Sequence, residues 1–295
     1  IHETPILTSR LINEIADCSI YFKCENFQKM GAFKMRGATN AILQLSQEDQ
    51  KKGVVTHSSG NFAQALSLAA KSLGITAYIV MPSSAPQVKK DAVKTYGGII
   101  IECPPTLKNR EETAQKIVEE KGATFVHPSN DIEVILGQGT AALELLQKQP
   151  HLDLVITPIG GGGLIGGTAL AVNLFAKSAK TIGAEPFEVD DAYRSLISGT
   201  IETNQSTNTI ADGLKTQLGD QNFPIIQKHV EEIIRVTEEE IKNALKLIWE
   251  RMKIIVEPSS AVALAAVLKE PAKFKNKQIG VIISGGNVDF NQIQL

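Results

Sequence analysis

The run Leu152-Asp153-Leu154-Val155-Ile156-Thr157-Pro158-Ile159-Gly160-Gly161-Gly162-Gly163-Leu164-Ile165 passes from a short apolar, β-branched stretch through four glycines into a helical pattern. Apolar strands without polar alternation are buried on both faces, as in parallel sheets. Four consecutive glycines carry a conformational cost that backbone approach to another group can justify. Amides leading into a helix N-terminus form an anion site, so a phosphate fits there.

The same alternation extends along most of the chain. Apolar runs at 21–24, 53–56, 76–81, 98–103, 124–126, 152–157, 181–184, 233–236 and 278–284 read as strands. Segments 61–73, 110–121, 139–148, 165–178 and 238–252 have helical period, the last opened by the capping box Thr237-x-x-Glu240. Strand–helix alternation of this kind predicts an α/β fold with parallel sheets covered by helices, and ligands at the carboxyl ends of strands. Three strand-to-helix turns are rich in Gly, Ser and Asn: His57-Ser58-Ser59-Gly60-Asn61, Pro158 to Gly163, and Ser284-Gly285-Gly286-Asn287.

Composition narrows the function classes. The 295 residues are 43% hydrophobic and 21% charged, close to ordinary globular averages, and length alone suggests two domains or one large one. Thirty Lys+Arg against 32 Asp+Glu leave a net charge of -2 with no long like-charged run, so no nucleic-acid or membrane partner is expected. No stretch has the length of a membrane span and no leader pattern opens the chain, although Ile1 in place of Met leaves upstream residues open. Cys18, Cys24 and Cys103 form no C-x-x-C pair, which fits a reducing cytoplasmic compartment. Five scattered histidines argue against a zinc-type site.

The glycine loop supports two readings. Gly161-x-Gly163-x-x-Gly166 satisfies the dinucleotide pattern, and Glu185 lies near the end of the next strand, where a ribose-binding acid would sit. A nicotinamide dinucleotide, as in an NAD-dependent dehydrogenase, and a phosphorylated cofactor both remain open at this point. A non-catalytic small-molecule sensor on the same fold is a third possibility.

The segment Ala32-Phe33-Lys34-Met35-Arg36-Gly37-Ala38, taken with Ser58-Ser59-Gly60-Asn61, Gly160 to Gly163 and Ser284-Gly285-Gly286-Asn287, resembles the fold-type II pyridoxal-phosphate enzymes. Within them it is most similar to the amino-acid racemases and the serine/threonine dehydratases, with the motifs in order from Thr4 to the C-terminus. The resemblance implies two open, twisted, mostly parallel sheets flanked by helices. A large cofactor domain would combine 1–52 with 131–295, and a small mobile domain over 53–130 would close on substrate. By the same resemblance Lys34 would be the amine joined to the cofactor aldehyde, Phe33 would line the ring, Asn61 would bond its phenolic oxygen, Gly160, Gly161, Gly162 and Gly163 would hold its phosphate, and Ser284 would face its pyridine nitrogen. An amine beside apolar Phe33 and cationic Arg36 can have a lowered pKa and serve as nucleophile and base.

The implied chemistry is interconversion of L- and D-serine with accompanying elimination to pyruvate and ammonia. Dehydration of serine, threonine or 3-hydroxyaspartate without racemisation is the alternative. Lys34 would serve one face of the substrate and Ser59 the other, at a place where the dehydratases usually carry Ala; as a plain N-cap, Ser59 would point to a dehydratase instead. Ser58, Ser59, Asn61, the backbone of Phe62 and Arg110 would bind the amino-acid substrate, Phe62 departing from the usual His. Glu185, Asp191 and the Val189 carbonyl would hold Mg²⁺, Mn²⁺ or Ca²⁺, unless those acids only cap the following helix. Gln64 and Lys253 would contact an activating ATP in a homodimer.

Overall fold

The computed structural model describes residues 1–290, so positions 291–295 of the expected large domain lie outside the described residues. Its strands are β1 (Ile6–Leu7), β2 (Ser19–Cys24), β3 (Val54–His57), β4 (Ala77–Pro82), β5 (Ile99–Cys103), β6 (Thr124–Phe125), β7 (Leu154–Pro158), β8 (Lys180–Pro186), β9 (Val230–Val236) and β10 (Gln278–Ile283). They form a six-stranded sheet in the order β1-β2-β10-β7-β8-β9 and a four-stranded sheet in the order β5-β4-β3-β6. Every pairing is parallel except β1 with β2, so the expected α/β architecture of two mostly parallel sheets is present.

Burial explains the unalternating strand sequences. Val281 of β10 pairs with Phe22 on one side and Ile156 on the other, and all three side chains are fully buried. The Pro258–Lys269 helix is sunk in the same core, with Pro258 in its first turn where a missing N–H costs nothing. In the smaller sheet the chain order reverses between β3 and β6. The loops after these two strands therefore flank a crevice at the carboxyl ends, the usual ligand position in open α/β sheets.

Among the helices expected from the sequence, one departs most from the expectation. The helix read at 139–148 starts at Ile132 and runs to Lys148, with the Asp131 carboxylate accepting from the Glu133 and Val134 amides at 2.9 and 3.3 Å. Gly137 and Gly139, which argue locally against helix, serve close packing. A Cβ on Gly137 would stand 2.6 Å from Gly37 Cα, and one on Gly139 would stand 2.6 Å from the Gly167 carbonyl oxygen. The Ile132–Lys148 helix thereby packs on both the Lys34–Leu43 and the Gly163–Phe175 helices, and Lys34–Leu43 also packs on Asn61–Ser72. These contacts set the helix that Lys34 opens beside the helix that Asn61 opens after β3.

Candidate active site

Lys34 opens the Lys34–Leu43 helix, and the residues before it are stitched to the loop after β10. Phe33 N–H donates to the Ser284 carbonyl at 2.9 Å, and Ala32 pairs with Gly285. Lys34 Nζ donates to the Pro128 carbonyl at 2.8 Å and stands 5.0 Å from the Phe33 ring centre and 5.7 Å from that of Phe62. Burial pulls its pKa down to about 8, while the charge of Glu257 opposes the shift. The expected help from Arg36 is not found. Its fully buried guanidinium is neutralised by Glu25 and Glu144, each at 2.7 Å, so desolvation alone does the lowering. Phe62, only 2% exposed, belongs to the apolar wall that causes it.

The Pro128 contact leads directly to the glycine loop. A Cβ on Gly161 would lie 2.4 Å from the hydroxyl of Ser129, and the Asn222 amide nitrogen donates to both the Gly161 and Ser129 carbonyls, at 2.8 and 3.1 Å. The amides of Gly160, Gly161, Gly162 and Gly163 donate to no protein acceptor among the described residues, and the buried Ser129 hydroxyl has no partner either. Free amides at a helix start, an orphaned hydroxyl and a half-buried amine nearby are a donor set that suits a phosphorylated aldehyde. These residues fit pyridoxal phosphate. The dinucleotide reading does not survive, because the Glu185 carboxylate is fully buried and accepts from the Ala192 and Tyr193 amides at 3.2 and 2.9 Å.

Asn61 begins the Asn61–Ser72 helix after β3, and its amide nitrogen meets both carboxylate oxygens of Glu257, at 3.2 and 3.1 Å. Burial raises the Glu257 carboxyl to about 7, and the Asn61 hydrogen bond opposes that rise. Ser284 is 3% exposed, and its hydroxyl lies 3.0 Å from that of Ser260, which also bonds the Gly285 amide and carbonyl at 2.8 and 2.7 Å. Glu257, Ser260, Ser129 and Asn222 were not singled out from the sequence. No local pattern marks them; only the Glu257-Pro258 pair, an N-cap followed by Pro, signals a helix start.

The remaining expected residues divide. Ser58 accepts from the Gly60 amide through its hydroxyl at 3.3 Å. Ser59 is not the helix cap: that position falls to Gly60, and the Ser59 hydroxyl bonds no protein group among the described residues. Arg110, expected at the substrate carboxylate, makes no side-chain hydrogen bond among the described residues. It sits in the Leu107–Lys121 helix, its buried Nε without a partner, where its charge bears on His57 and Cys103. Cys18, Cys24 and Cys103 are buried free thiols.

Glu185 and Asp191 are both fully buried, and Val189 is buried between them in sequence. Burial pushes both carboxyls up, and the charge of Asp191 pushes Glu185 further. Asp191 accepts from Asn204 at 2.8 Å and from the Leu218 amide at 2.9 Å, while Glu185 caps the Asp191–Ser198 helix. Among the described residues no group of three His, Cys, Asp or Glu is gathered as a metal cluster. Two carboxylates and a carbonyl are hard oxygen donors of the kind Mg²⁺ takes, with free lone pairs beyond these bonds. Gln64 is half-buried on the Asn61–Ser72 helix and Lys253 is exposed at the C-cap of Glu238–Met252, with no hydrogen bond joining them.

Residues 1–285 match the protein family described as "Pyridoxal-phosphate dependent enzyme". The serine racemase of Dictyostelium discoideum is 52% identical over 297 residues, covering 99% of this chain and 92% of that protein. The β-hydroxyaspartate dehydratase of Paracoccus denitrificans is 50% identical, covering 99% of this chain and 93% of its own. The crystal structure of the Dictyostelium discoideum serine racemase superposes with a TM-score of 0.94 at 51% identity, over 98% of this chain and 94% of that one.

Proposed function

We propose, on the premise that this chain belongs to the pyridoxal-phosphate dependent enzyme family, that it interconverts L- and D-serine and also eliminates serine to pyruvate and ammonia. The observation that carries the racemase half is the Ser59 hydroxyl, which neither caps the helix nor bonds another protein group among the described residues. On this reading it would act as the acid on the face opposite Lys34. A second reading, dehydration of 3-hydroxyaspartate, is favoured by the 50% identity to the Paracoccus denitrificans enzyme.

Pyridoxal phosphate, when bound, supplies the electron sink that acidifies an amino acid at Cα. The four glycine amides and Ser129 would receive its phosphate, Asn61 its phenolic oxygen, and Ser284 its pyridine nitrogen. A hydroxyl stabilises a pyridinium less than a carboxylate does, which favours proton transfer and elimination over transamination. Lys34, poised at about 8, can hold or release a proton at neutral pH and would take the Cα proton on one face. Ser59 would return a proton on the other. The substrate carboxylate would meet the amides that open the Asn61–Ser72 helix, beside Ser58 and Asn61. The rings of Phe33 and Phe62 lie against the amine and reduce its contact with water.

The finer features belong to the same proposal. The unit over 53–130 closes on the site carried by 1–52 and 131–295, which shuts out water. Glu185, Asp191 and the Val189 carbonyl would hold Mg²⁺, whose charge would offset the burial of both carboxylates and the charge of Asp191 on Glu185. The active form is a cytoplasmic homodimer, with ATP reached by Gln64 and Lys253.

Incubation with L-serine, L-threonine or 3-hydroxyaspartate in deuterated water, followed for Cα label, product chirality and keto acid, tests the whole reading. L-serine is expected to give labelled D-serine together with pyruvate. Ser59→Ala is expected to lose racemisation by about a hundredfold, in the range of one acid–base group, while elimination falls far less. Equal losses would show that Ser59 is not the opposite-face acid.

A further inference from the structure

Glu257 is an unusual carboxylate. It is 4% exposed, yet no lysine or arginine forms an ion pair with it among the described residues. It occupies the N-cap of the Pro258–Lys269 helix without making a side-chain cap bond. Its oxygens instead accept from neutral donors, the Asn61 amide nitrogen at both oxygens and the Asn287 backbone amide. Burying an acid against neutral donors alone is poor stabilisation. It is effective orientation above about pH 7, where the carboxylate is mostly ionised, only accepts, and admits only the nitrogen end of an amide.

The other end of that amide is also specified. Asn61 Oδ1 accepts from the Asn287 side-chain nitrogen at 2.9 Å, and that nitrogen donates at 2.8 Å to the Met30 carbonyl. Turning Asn61 over would set an amide oxygen against the Glu257 carboxylate and an NH₂ against the Asn287 NH₂. Both contacts would be repulsive. Glu257 and Asn287 are themselves held to the Lys34 segment and its neighbouring loop: Glu257 N–H donates to the Gly285 carbonyl at 3.0 Å, and the Gly286 amide donates to Gly31 at 2.8 Å.

We propose that Glu257 and Asn287 are positioning residues that clamp the Asn61 side chain from its two ends, so that its remaining N–H is presented to the phenolic oxygen of the cofactor ring. The inference rests on the function proposed above. Asn61 follows β3 of the four-stranded sheet, whereas Glu257 and Asn287 lie with the six-stranded one, so the clamp forms only where the two sheets meet.

The test is a double-mutant cycle on the holoenzyme and the stripped protein, with pyridoxal phosphate as the probe. Glu257→Gln supplies a side chain that can both donate and accept. It is expected to raise the cofactor dissociation constant about tenfold, the scale of one hydrogen bond to a charged group, and to move the absorption maximum of bound cofactor. In an Asn61→Ala background the same substitution is expected to change neither. A Glu257→Gln protein that binds and absorbs like its parent overturns the clamp, as does an equal loss in both backgrounds. Asn287→Ala taken through the same cycle gives the same reading should Glu257→Gln fold poorly. A parent protein that takes up no yellow cofactor refutes the function proposed above, an outcome distinct from a failed cycle in a parent that does.

Discussion

Replacing Lys34 with Met is expected to stabilise the cofactor-free protein at neutral pH. The folded amine sits at about 8 and an ordinary lysine at 10.5, so below about pH 8 the fold holds a charge that its surroundings resist. A gap of that size corresponds to about 3 kcal/mol at 1.36 kcal/mol per unit. The side chain is half-buried, so water reaching it reduces the penalty, and losing the Nζ bond to Pro128 costs about 1 kcal/mol. A net gain of about 1 kcal/mol remains, or about 2–4 °C in melting temperature for a chain of this order of size. Because the folded pKa lies below the unfolded one, the unfolded chain binds the extra proton between about 8 and 10.5, and the parent gains stability as pH rises through that window. The advantage of the Met variant should therefore be largest near pH 7 and close by about pH 10.5. Calorimetry on hydroxylamine-stripped protein across that range measures it. A difference that does not shrink with pH, or a Met variant that melts below its parent at neutral pH, refutes the account of Lys34 as an amine lowered by burial.

Two further outcomes are expected elsewhere in the molecule. Gly161→Ala places a methyl 2.4 Å from the Ser129 hydroxyl and 3.1 Å from Thr216 Cγ2, and should weaken cofactor binding by about tenfold or more, the range of an overpacked site; fluorescence titration reads it, and unchanged affinity would separate the glycine loop from the phosphate. Adding Mg²⁺ at about a hundred times its dissociation constant should stabilise the protein by about 2.7 kcal/mol, and Glu185→Gln should abolish that shift. A melting temperature indifferent to Mg²⁺ would leave Glu185 as an acceptor for the first amides of the Asp191–Ser198 helix and Asp191 as an acceptor for Asn204 and Leu218.

The sequence was most legible where a physical requirement is local. Apart from β1, which no expected strand covers, the strands lie within a few residues of their expected places, because a strand buried in a parallel sheet is apolar along most of its length. The glycine loop could be read as an anion site, since it needs only a strand, free amides and a helix start. The Ile132–Lys148 helix was read short because Gly137 and Gly139 weaken a helix in isolation, and only the backbones of Gly37 and Gly167 pressing on them explain their presence. The Pro258–Lys269 helix is apolar all round and shows no face until a core encloses it.

The site divides along the same line. Lys34, Asn61, the four glycines and Ser284 were legible because each sits in a run of residue types that chemistry restricts, and so was their common destination at strand carboxyl ends. Glu257, Ser129 and Asn222 were not, since an acid, a serine and an asparagine in unremarkable surroundings acquire a role only from what the fold sets against them. The source of the Lys34 shift was also decided in three dimensions: Arg36, two residues away in the chain, turns to Glu25 and Glu144, while Phe62 and Glu257 arrive from distant segments. Residue types and turn chemistry are properties of neighbours along the chain, and the sequence determines them alone. Desolvation and charge depend on which atoms lie within a few ångströms, and that is settled only when the two sheets pack together.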